Sequence, residues 1–548
     1  MSKTDALRIR PAFFLCLFAR RPGHAREVRF IMLSVRHLSV THLRDLKELI
    51  HDLSFSVSGT DRLAVIGEEG NGKSTLLKLI YDAQSVQSYC SHTGEIACPG
   101  EAPGYLSQEI PPESRDLPVY AWCAEHPAFL DISPKELNRL CAQLQLPPDI
   151  CYADQPVASL SGGEKVKLRL LLALCGHPTL LLLDEPSNDL DLPTLRFLEG
   201  FILSCGLPVV FISHDETLLS RTATRVLHLE MAHHKKEPRW TLANVPYDQY
   251  MADRARAIQR QEAQAQMERR EERAQQERFQ RIQQAVEHAQ NAVSRQDPGT
   301  GRLLKKKMKA VKSLEHRFER ERREQTRRPN IEYAMDASFS GDHALPAGKR
   351  TLEFHWNELR TGDRLLASGL HLTLFGAEKI LLVGENGCGK TTLLRRIAEE
   401  LTGRGDIRPI LMPQRYEEAL PEDKTPIQYL HTRGDKEQLT QLRTCLGAFK
   451  FTTEEMEHPI ARLSGGQKAK LLWLRIILSD ANVLLLDEPT RNLSPLSAPV
   501  VRQLMCDFTG AVLAVTHDRT LMRMWPGRVL RMTARGFVPM TASEIEKL

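Results

Sequence analysis

The chain has 548 residues, of which 42% are hydrophobic and 26% charged, and its formal net charge is +5. These values are ordinary for a globular protein of two or three domains. No apolar stretch reaches the ~18 residues of a membrane-spanning helix, so we predict no membrane segment and no membrane partner. The eleven cysteines show no pairing typical of metal sites. Free thiols in a reducing compartment are therefore expected, which predicts a cytoplasmic protein.

Residues 1–31 precede the first strand-like sequence, which begins at Met32. An apolar run over residues 11–19 has the basic flanks of a short signal peptide, but no small-residue cleavage site follows it. We expect a disordered or spurious N-terminal extension here.

Two copies of one ordered set of motifs follow. Each copy has a glycine-rich loop, a Ser-Gly-Gly motif, an Asp-Glu pair and a histidine. The first consists of Gly67, Glu68, Glu69, Gly70, Asn71, Gly72, Lys73, Ser74 and Thr75, then Ser161, Gly162 and Gly163, then Asp184, Glu185 and His214, and the second of Gly384, Glu385, Asn386, Gly387, Cys388, Gly389, Lys390, Thr391 and Thr392, then Ser464, Gly465 and Gly466, then Asp487, Glu488 and His517. In both copies the first serine lies 23 positions before the aspartate, and the aspartate lies 30 positions before the histidine. Such a repeat indicates two equivalent domains in one polypeptide.

Short apolar runs lead into the motifs of each copy. Runs of this kind, bounded by turn signals, are typical of buried parallel strands. They cover residues 63–66, 180–183 and 209–212 in the first copy and 380–383, 483–486 and 512–515 in the second. The fold class is therefore α/β, with two tandem nucleotide-binding domains predicted over residues 32–245 and 336–548.

The segment between the domains, residues 246–335, predicts a long α-helical hairpin. Apolar residues recur at spacings of three and four on both sides of a turn at 297–301. They are Phe279, Ile282, Val286, Ala289 and Val293 before it, and Leu304, Met308, Val311, Leu314 and Phe318 after it. At ~1.5 Å per residue, a first helix of about 45 residues spans roughly 65 Å, which makes an arm with its tip near residues 294–307.

Positive charge is concentrated in this linker. Between Arg295 and Arg328 there are thirteen basic and five acidic residues, so the segment carries +8 and the rest of the chain −3. Basic residues along a helix follow phosphate backbones, which predicts contact with RNA.

The motifs specify ATP and Mg²⁺ as cofactors. Backbone N–H groups of the glycine loops bind phosphate oxygens, and Lys73 and Lys390 neutralise the terminal phosphates. Ser74 and Thr391 supply a hydroxyl to Mg²⁺.

The acidic pairs supply the remaining chemistry. Asp184 and Asp487 end apolar strands, where a carboxylate holds the metal through water, and Glu185 and Glu488 are placed to polarise the attacking water. An ordinary helix cap is the alternative for any single one of these acids.

Two glutamines and the two histidines complete the predicted sites. Gln108 and Gln414 lie between the glycine loop and the serine motif in both copies, where they would bind metal or water, with a loop glutamine as the alternative. His214 and His517 follow apolar runs at matched spacing, which favours γ-phosphate sensors over buried structural histidines.

The chain from Met32 onward resembles the ATP-binding cassette (ABC) superfamily. In that family the segments starting at Ser161 and Ser464 are signature motifs, and each caps the nucleotide held by the opposite half. The resemblance implies one site formed by Lys73, Asp184, Glu185 and His214 with Ser464 and Gly466, and another formed by Lys390, Asp487, Glu488 and His517 with Ser161 and Gly163. It also implies a monomer whose two ABC domains pair within the chain, closed by ATP and released by hydrolysis.

Two cassettes joined by a charged helical hairpin resemble the ABC-F branch of the superfamily. Its members bind the ribosome near the E site, and the hairpin reaches toward the peptidyl-transferase centre. The resemblance implies 70S ribosomes as the partner, with contacts to 23S rRNA and P-site tRNA through the basic hairpin.

The second acidic motif refines this resemblance. Residues 487–495 contain Arg491-Asn492-Leu493-Ser494-Pro495, which resembles the antibiotic-resistance group that protects ribosomes from lincosamides, streptogramin A and pleuromutilins. The first copy has the Asn188-Asp189-Leu190-Asp191 form of the translation factors instead.

Two positions depart from the family pattern. His42 stands where a tyrosine that stacks on adenine is expected, and Ser494 replaces an aspartate. Weaker base stacking and unequal ATP sites are the expected consequences.

Three other functions compete with ribosome protection. A translation factor acting on stalled ribosomes has the same motifs. A DNA-maintenance ATPase also has arms between its halves, but they are usually far longer and often accompanied by zinc cysteine pairs. The motor of a drug exporter is disfavoured because no membrane span is encoded.

Overall fold

The structure is a computed structural model that describes residues 31–99, 103–188, 190–232, 237–291, 339, 343–431 and 436–547. The predicted N-terminal extension lies almost wholly outside these residues. The predicted hairpin tip at 294–307 and the returning arm of the hairpin also lie outside them.

The first half contains two sheets. Its strands are β1 (Ile31–His42), β2 (Glu48–Ser58), β3 (Arg62–Ile66), β4 (Cys90–Ala97), β5 (Gly104–Leu106), β6 (Leu181–Asp184), β7 (Val209–Ile212), β8 (Arg225–Met231) and β9 (Glu237–Ala243). The larger sheet has the order β5-β6-β7-β3-β8-β9 and is parallel apart from the β8–β9 pair. An antiparallel sheet of order β2-β1-β4 packs beside it.

The second half repeats this plan. Its strands are β10 (Arg350–Thr361), β11 (Arg364–Phe375), β12 (Lys379–Val383), β13 (Pro409–Met412), β14 (Val483–Asp487), β15 (Ala511–Val515), β16 (Arg528–Thr533) and β17 (Gly536–Pro539). The six-stranded sheet has the order β13-β14-β15-β12-β16-β17, and β10 pairs with β11. The equivalent strand orders confirm the predicted α/β fold with two tandem domains.

Helices cover the sheets and connect the strands. They are α1 (Lys73–Tyr81), α2 (Val119–Ala124), α3 (Pro127–Asp131), α4 (Pro134–Gln143), α5 (Gly162–Cys175), α6 (Leu192–Ser204), α7 (Glu216–Thr222), α8 (Tyr247–Asn291), α9 (Lys390–Leu401), α10 (Pro426–Leu430), α11 (Lys436–Ala448), α12 (Thr453–Glu457), α13 (Gly465–Ile477), α14 (Ala498–Asp507), α15 (Arg519–Met524) and α16 (Ala542–Glu546). Short 3-10 turns lie at Ala83–Val86, Pro112–Ser114, Pro148–Tyr152, Val157–Ser159, Tyr416–Glu418 and Ile460–Arg462.

The central strands are buried on both faces, as predicted from their continuous apolar sequence. In β3, Ala64 and Ile66 pack into one hydrophobic cluster, whereas Leu63 and Val65 pack into a second one on the opposite face. Strand β12 divides its side chains between two clusters in the same way. This double burial accounts for the absence of an alternating polar pattern in these runs.

The parallel strands also bring the motifs together. The glycine loop follows β3, Asp184 ends β6, and His214 comes two residues after the end of β7. Because the carboxyl ends of parallel strands meet at one edge of a sheet, the predicted site residues of each half converge there.

Helix α8 leaves the first half as a long element of 45 residues. Its length matches the predicted first arm of the linker, and at ~1.5 Å per residue it spans roughly 65 Å. Within the described ranges, the structure contains no helix with the length and apolarity required to span a membrane.

Candidate active sites between the two halves

Each glycine loop closes around the lysine at its end. Lys73 Nζ donates hydrogen bonds to the carbonyl oxygens of Gly67 and Glu68, both at 2.9 Å. Lys390 Nζ makes the equivalent bonds in the second loop, at 2.8 and 2.9 Å. Gly67 has a φ of 150°, and a Cβ there would lie 2.2 Å from the carbonyl oxygen of Leu229. The loop thus keeps its shape only with glycine, and its N–H groups end at a helix N-terminus, where phosphate binds well.

The aspartates that end β6 and β14 each lie beside a loop hydroxyl. Asp184 is fully buried and accepts hydrogen bonds from Ser74 Oγ at 2.9 Å and from Tyr105 OH at 3.3 Å. Burial, and then the adjacent glutamate, raise the pKa of Asp184 to about 6. Thr391 hydrogen-bonds Asp487, and burial raises the pKa of that carboxyl as well. Because burial disfavours the ionised form of each carboxyl group, a cation bound beside it would stabilise that form.

The two glutamates that follow the aspartates have strained backbones. Glu185 has a φ of 48° and Glu488 a φ of 52°, values that residues other than glycine rarely adopt. The strained turn directs the Glu185 carboxylate toward His214 Nε2 at 3.1 Å, and Asn188 Nδ2 donates to it at 2.5 Å. Strain repeated at both predicted catalytic positions fits a functional requirement.

The histidines contact these glutamates in both halves. His517 donates its backbone N–H to a Glu488 carboxylate oxygen at 3.2 Å, and its Nε2 lies 3.6 Å from the other oxygen. Burial, and then the charge of Lys390, lower the pKa of His517 to about 3, so its imidazole is neutral. Among the described residues, the Nδ1 atoms of His214 and His517 are buried without a hydrogen-bond partner.

The structure places the predicted glutamines differently from each other. Gln108 Nε2 donates to Glu185 Oε2 at 3.1 Å, so its amide contacts the glutamate and not the predicted metal-binding aspartate. Arg169 holds this loop by donating to the carbonyl oxygens of Ser107 and Gln108, at 2.6 and 3.2 Å. In the second half Arg491 donates to the backbone carbonyl of Gln414 at 3.3 Å.

The signature motifs begin helices α5 and α13. Ser161 and Ser464 are N-cap residues, and each forms a capping box with the residue three positions later, Glu164 or Gln467. Each motif therefore presents a helix N-terminus, which attracts anions.

The first glycine loop contacts the second half through Glu68. Its carboxylate lies 2.6 Å from Lys470 Nζ and accepts hydrogen bonds from Ser494 Oγ and, at 3.0 Å, from Ser497 Oγ. Burial alone would raise the pKa of Glu68, but Lys470 and the two hydroxyls lower it to about 2. The serine that replaces the expected aspartate at position 494 thus accommodates a carboxylate from the opposite half.

Glu69 of the same loop reaches the second signature motif. Its carboxylate accepts a hydrogen bond from Ser464 Oγ at 3.0 Å, and a Cβ added at Gly466 would lie 1.7 Å from Glu69 Oε1. The first glycine loop and the second signature motif are therefore in contact, and a nucleotide shared between them stays a prediction. A protein carboxylate occupies the approach to Ser464 and Gly466.

The equivalent contacts on the other side are looser. Glu385 is exposed whereas Glu68 is buried, and Ser161 is exposed whereas Ser464 is half-buried. Lys167, the counterpart of Lys470, lies 4.5 Å above the ring centre of Phe197 in its own half. The two sites are therefore unequal in geometry.

A cavity of about 1600 Å³ joins both sets of residues. The predicted residues that line it are Glu69, Gly70, Gly72, Lys73, Ser74, Thr75, Gln108, Gly162, Glu185 and His214 from the first half, and Asn386, Gly387, Gly389, Lys390, Thr391, Gln414, Ser464, Gly465, Gly466, Asp487, Glu488 and His517 from the second. Both predicted sites thus open into one space between the halves.

Several predicted residues serve the loop structure. Asn71 Nδ2 donates to the carbonyl oxygen of Leu229 at 3.0 Å, which fastens the first loop to β8. Thr392 Oγ1 lies 3.5 Å from Thr361 Oγ1 on β10. Burial raises the pKa of the Cys388 thiol. His42 Nδ1 lies 2.7 Å from an Asp45 carboxylate oxygen.

These residues fit ATP and Mg²⁺. Within the described ranges no three His, Cys, Asp or Glu side chains could together hold a metal. One buried aspartate and one hydroxyl, Asp184 with Ser74 or Asp487 with Thr391, leave the other ligand positions of a Mg²⁺ ion to phosphate oxygens and water, which Mg²⁺ prefers.

Sequence reasoning missed the residues that join the halves. These are Lys470 and Ser497 beside the first glycine loop, and Glu199, Glu216, Arg502 and Arg519 on helices α6, α7, α14 and α15. Comparing the two copies position by position could have found the last four, because their charges are opposite at equivalent places.

The comparisons with known proteins match this architecture. The family model described as "ABC transporter" matches residues 50–188 and 367–491. A solved structure of the complex of archaeal ribosomal stalk protein aP1 and archaeal ribosome recycling factor aABCE1 has a TM-score of 0.55 and 16% identity, and covers 93% of this chain and 91% of that chain. At that identity the likeness shows the fold alone.

Several curated proteins are similar to most of this chain. ATP-binding protein Uup of Escherichia coli K12 is 29% identical over 86% of this chain and 76% of its own length. Ribosome protection protein VmlR of Bacillus subtilis is 28% identical over 90% of this chain and 86% of its own length. ABC transporter F family members 5 and 2 of Arabidopsis thaliana are 28% and 27% identical, and this chain spans 55% and 57% of their length.

The two sheets and the two matched segments define a protein with tandem ATP-binding cassette domains joined by a helical region. Among such proteins, its sequence is similar to those of ABC transporter F family members, Uup and VmlR, at 27–29% identity.

Proposed function

We propose that this protein is an ABC-F ATPase that binds the ribosome near the E site. There it protects the peptidyl-transferase centre from lincosamides, streptogramin A and pleuromutilins. The observation that carries the proposal is the similarity to a ribosome protection protein over 90% of this chain and 86% of that one. The Arg-Asn-x-Ser-Pro form of the second acidic motif supports the same group.

The geometry of both sites supports hydrolysis of ATP. Lys73 and Lys390 close loops that bind phosphate, and Asp184 and Asp487 with their neighbouring hydroxyls would hold Mg²⁺. The bound Mg²⁺ would neutralise charge that develops on the phosphates. Glu185 contacts His214, which keeps the carboxylate positioned to polarise a water molecule.

The contact surface for the ribosome is proposed to be the basic linker. Its +8 charge between Arg295 and Arg328 suits 23S rRNA and, at the tip near 294–307, the P-site tRNA. In the chain, the 45-residue helix α8 comes directly before that segment. ATP bound between the halves would hold them closed on the ribosome, and hydrolysis would release the protein.

The test is to stop hydrolysis while keeping nucleotide binding. Glu185→Gln combined with Glu488→Gln removes both polarising carboxylates, so with ATP we expect the variant to accumulate on 70S ribosomes at least ~10-fold over wild type. Co-sedimentation measures this. A second variant that adds Lys73→Ala and Lys390→Ala should no longer be retained on the ribosomes, because it loses the lysines that bind the phosphates of ATP. Equal recovery of wild type and the Glu→Gln variant would contradict the proposal.

A second candidate is an ABC-F translation factor that acts on stalled ribosomes without a drug role. It is favoured by the Asn188-Asp189-Leu190-Asp191 form of the first acidic motif. The identity to ATP-binding protein Uup, 29%, is also no lower than the 28% identity to VmlR. Expression in a susceptible strain separates the two functions. Raised inhibitory concentrations for at least one of the three drug classes support protection, whereas trapping on ribosomes without any such rise supports the factor.

A further inference from the structure

Equivalent positions in the two halves carry opposite charges at the contact between them. Counted from the two Asp-Glu pairs, Glu199 and Arg502 occupy the same position, as do Glu216 and Arg519. The first half therefore has two glutamates where the second has two arginines.

Both arginines bind acids of the opposite half. Arg519 forms ion pairs with Glu199 and, at 2.9 Å, with Asp215. Arg502 lies 2.8 Å from a Glu216 carboxylate oxygen. The contacts are reciprocal. Glu199 meets Arg519, the residue equivalent to Glu216, and Glu216 meets Arg502, the residue equivalent to Glu199. Reciprocal contacts of this kind reflect a two-fold arrangement of the halves.

These pairs are withdrawn from solvent. Arg519, Arg502 and Glu199 have exposed fractions of 2%, 4% and 6%. Neighbours within each half complete the cluster, because Arg221 lies 2.9 Å from Glu199, and Asp518 lies 2.7 Å from Arg502. Buried charges are screened little by salt, and one left without an opposite charge strongly destabilises the contact.

The ion pair between Glu68 and Lys470 does not distinguish one half from the other in this way. Glu68 pairs with Lys470 at 2.6 Å, but the equivalent residues are again acidic and basic, Glu385 and Lys167. A pair of identical halves would therefore keep this contact. Among the contacts between described residues given above, the glutamate and arginine set is the one that reverses its charge between the copies.

We infer that this charge cluster (Glu199 and Glu216 with Arg502 and Arg519) makes the interface selective for unlike halves. Two first halves in the same arrangement would bring Glu199 against Glu216, and two second halves would bring Arg502 against Arg519. Like charges in a buried contact oppose association, and this repulsion excludes wrong partners. The occupant of each half's interface is thus the opposite half, and copies of the chain do not pair through like halves.

The test uses two full-length variants that cannot close internally. In the first, Arg502→Glu and Arg519→Glu make both halves acidic, and in the second, Glu199→Arg and Glu216→Arg make both basic. Each retains one natural half, the first half in one variant and the second half in the other. Mixing them therefore allows the unaltered interface to form between two chains.

We expect each variant alone to sediment as a monomer and the equimolar mixture to form a one-to-one complex in analytical ultracentrifugation. Its dissociation constant should be at least ~10-fold below that for self-association of either variant. In hydrogen exchange, α7 and α15 should exchange faster than in wild type in each variant and slow again in the mixture.

Controls separate charge from folding. Arg443→Glu with Arg531→Glu reverses two charges of exposed ion pairs within the second half, and should behave as wild type. Arg502→Lys with Arg519→Lys keeps the charge and should keep wild-type exchange. If the charge-reversal variants have a lower melting temperature than wild type, the milder variant Arg502→Gln with Arg519→Gln is used in the same measurements. The inference is overturned if either variant self-associates as strongly as the mixture, or if exchange in α7 and α15 is unchanged by reversal.

Discussion

At the scale of residues, the two glycine loops differ at one position that bears on nucleotide binding. Glu69 stands where the second loop has Asn386, and its carboxylate lines the cavity and accepts a hydrogen bond from Ser464. Burial raises the pKa of Glu69, so its negative form is already disfavoured before any phosphate approaches.

Replacing Glu69 by asparagine should strengthen ATP binding at the first loop. The change removes a carboxylate that repels phosphate, and we expect about tenfold tighter binding, or about 1.4 kcal/mol. Isothermal titration on a Lys390→Ala background would measure the first site. The reverse change, Asn386→Glu on a Lys73→Ala background, is the matched control and should weaken the second site. Unchanged affinity in Glu69→Asn would contradict the interpretation.

The pKa of Asp184 predicts a pH-dependent stability. Because burial raises this pKa to about 6, the neutral carboxyl favours the folded state below the usual value of 3.8, and that contribution is lost as pH rises through 6. At about 1.4 kcal/mol per unit, up to about 3 kcal/mol is involved. Asp184→Asn should therefore gain thermal stability relative to wild type between pH 5 and pH 8. A difference in melting temperature that is constant with pH would refute it.

At the scale of elements, the two signature helices have the same cap but different surroundings. Helices α5 and α13 both begin with a serine capping box, whose loss costs about 1 kcal/mol. Only the second serine also contacts the opposite half, through Glu69. The same local sequence therefore serves the helix on one side, and the helix and the interface on the other.

Ser464→Ala and Ser161→Ala test this difference directly. Both should lose about 1 kcal/mol from the cap. Ser464→Ala should lose about a further 1 kcal/mol because it also removes the hydrogen bond to the buried Glu69 side chain. Denaturant or thermal unfolding of the nucleotide-free chain measures both variants. Equal losses would mean that the Glu69 contact contributes nothing in solution.

At the scale of the whole molecule, the structure joins two similar cassettes that are not interchangeable. Glu68 and Glu69 tie the first loop to the second signature, whereas Glu385 and Ser161 are exposed. The buried cluster of Glu199, Glu216, Arg502 and Arg519 adds contacts specific to unlike halves. The two halves are therefore similar in fold but differ in the side chains that meet at their interface.

Sequence alone determined the fold class, the strands that carry the motifs, and the convergence of each half's site. The reason is physical. Short continuous apolar runs bounded by turn signals, such as 63–66 and 380–383, are typical of strands in a sheet covered on both faces, and parallel strands place the residues that follow them at one edge. The 45-residue helix was equally predictable from the sequence, because the segment has almost no glycine or proline.

Only the tertiary structure decided which residues meet across the two halves. Lys470 and Glu68 lie 402 positions apart, and Arg519 and Glu199 lie 320 apart, so no local periodicity links them. Their pairing depends on the relative placement of two folded domains. Gln108 and Glu185 lie 77 positions apart within the first half, and the fold of that domain brings them together. Secondary-structure propensity and hydrophobic pattern depend on a few neighbouring residues in the sequence. The partner of a buried charge depends instead on which residues the folded structure brings within about 3 Å of it.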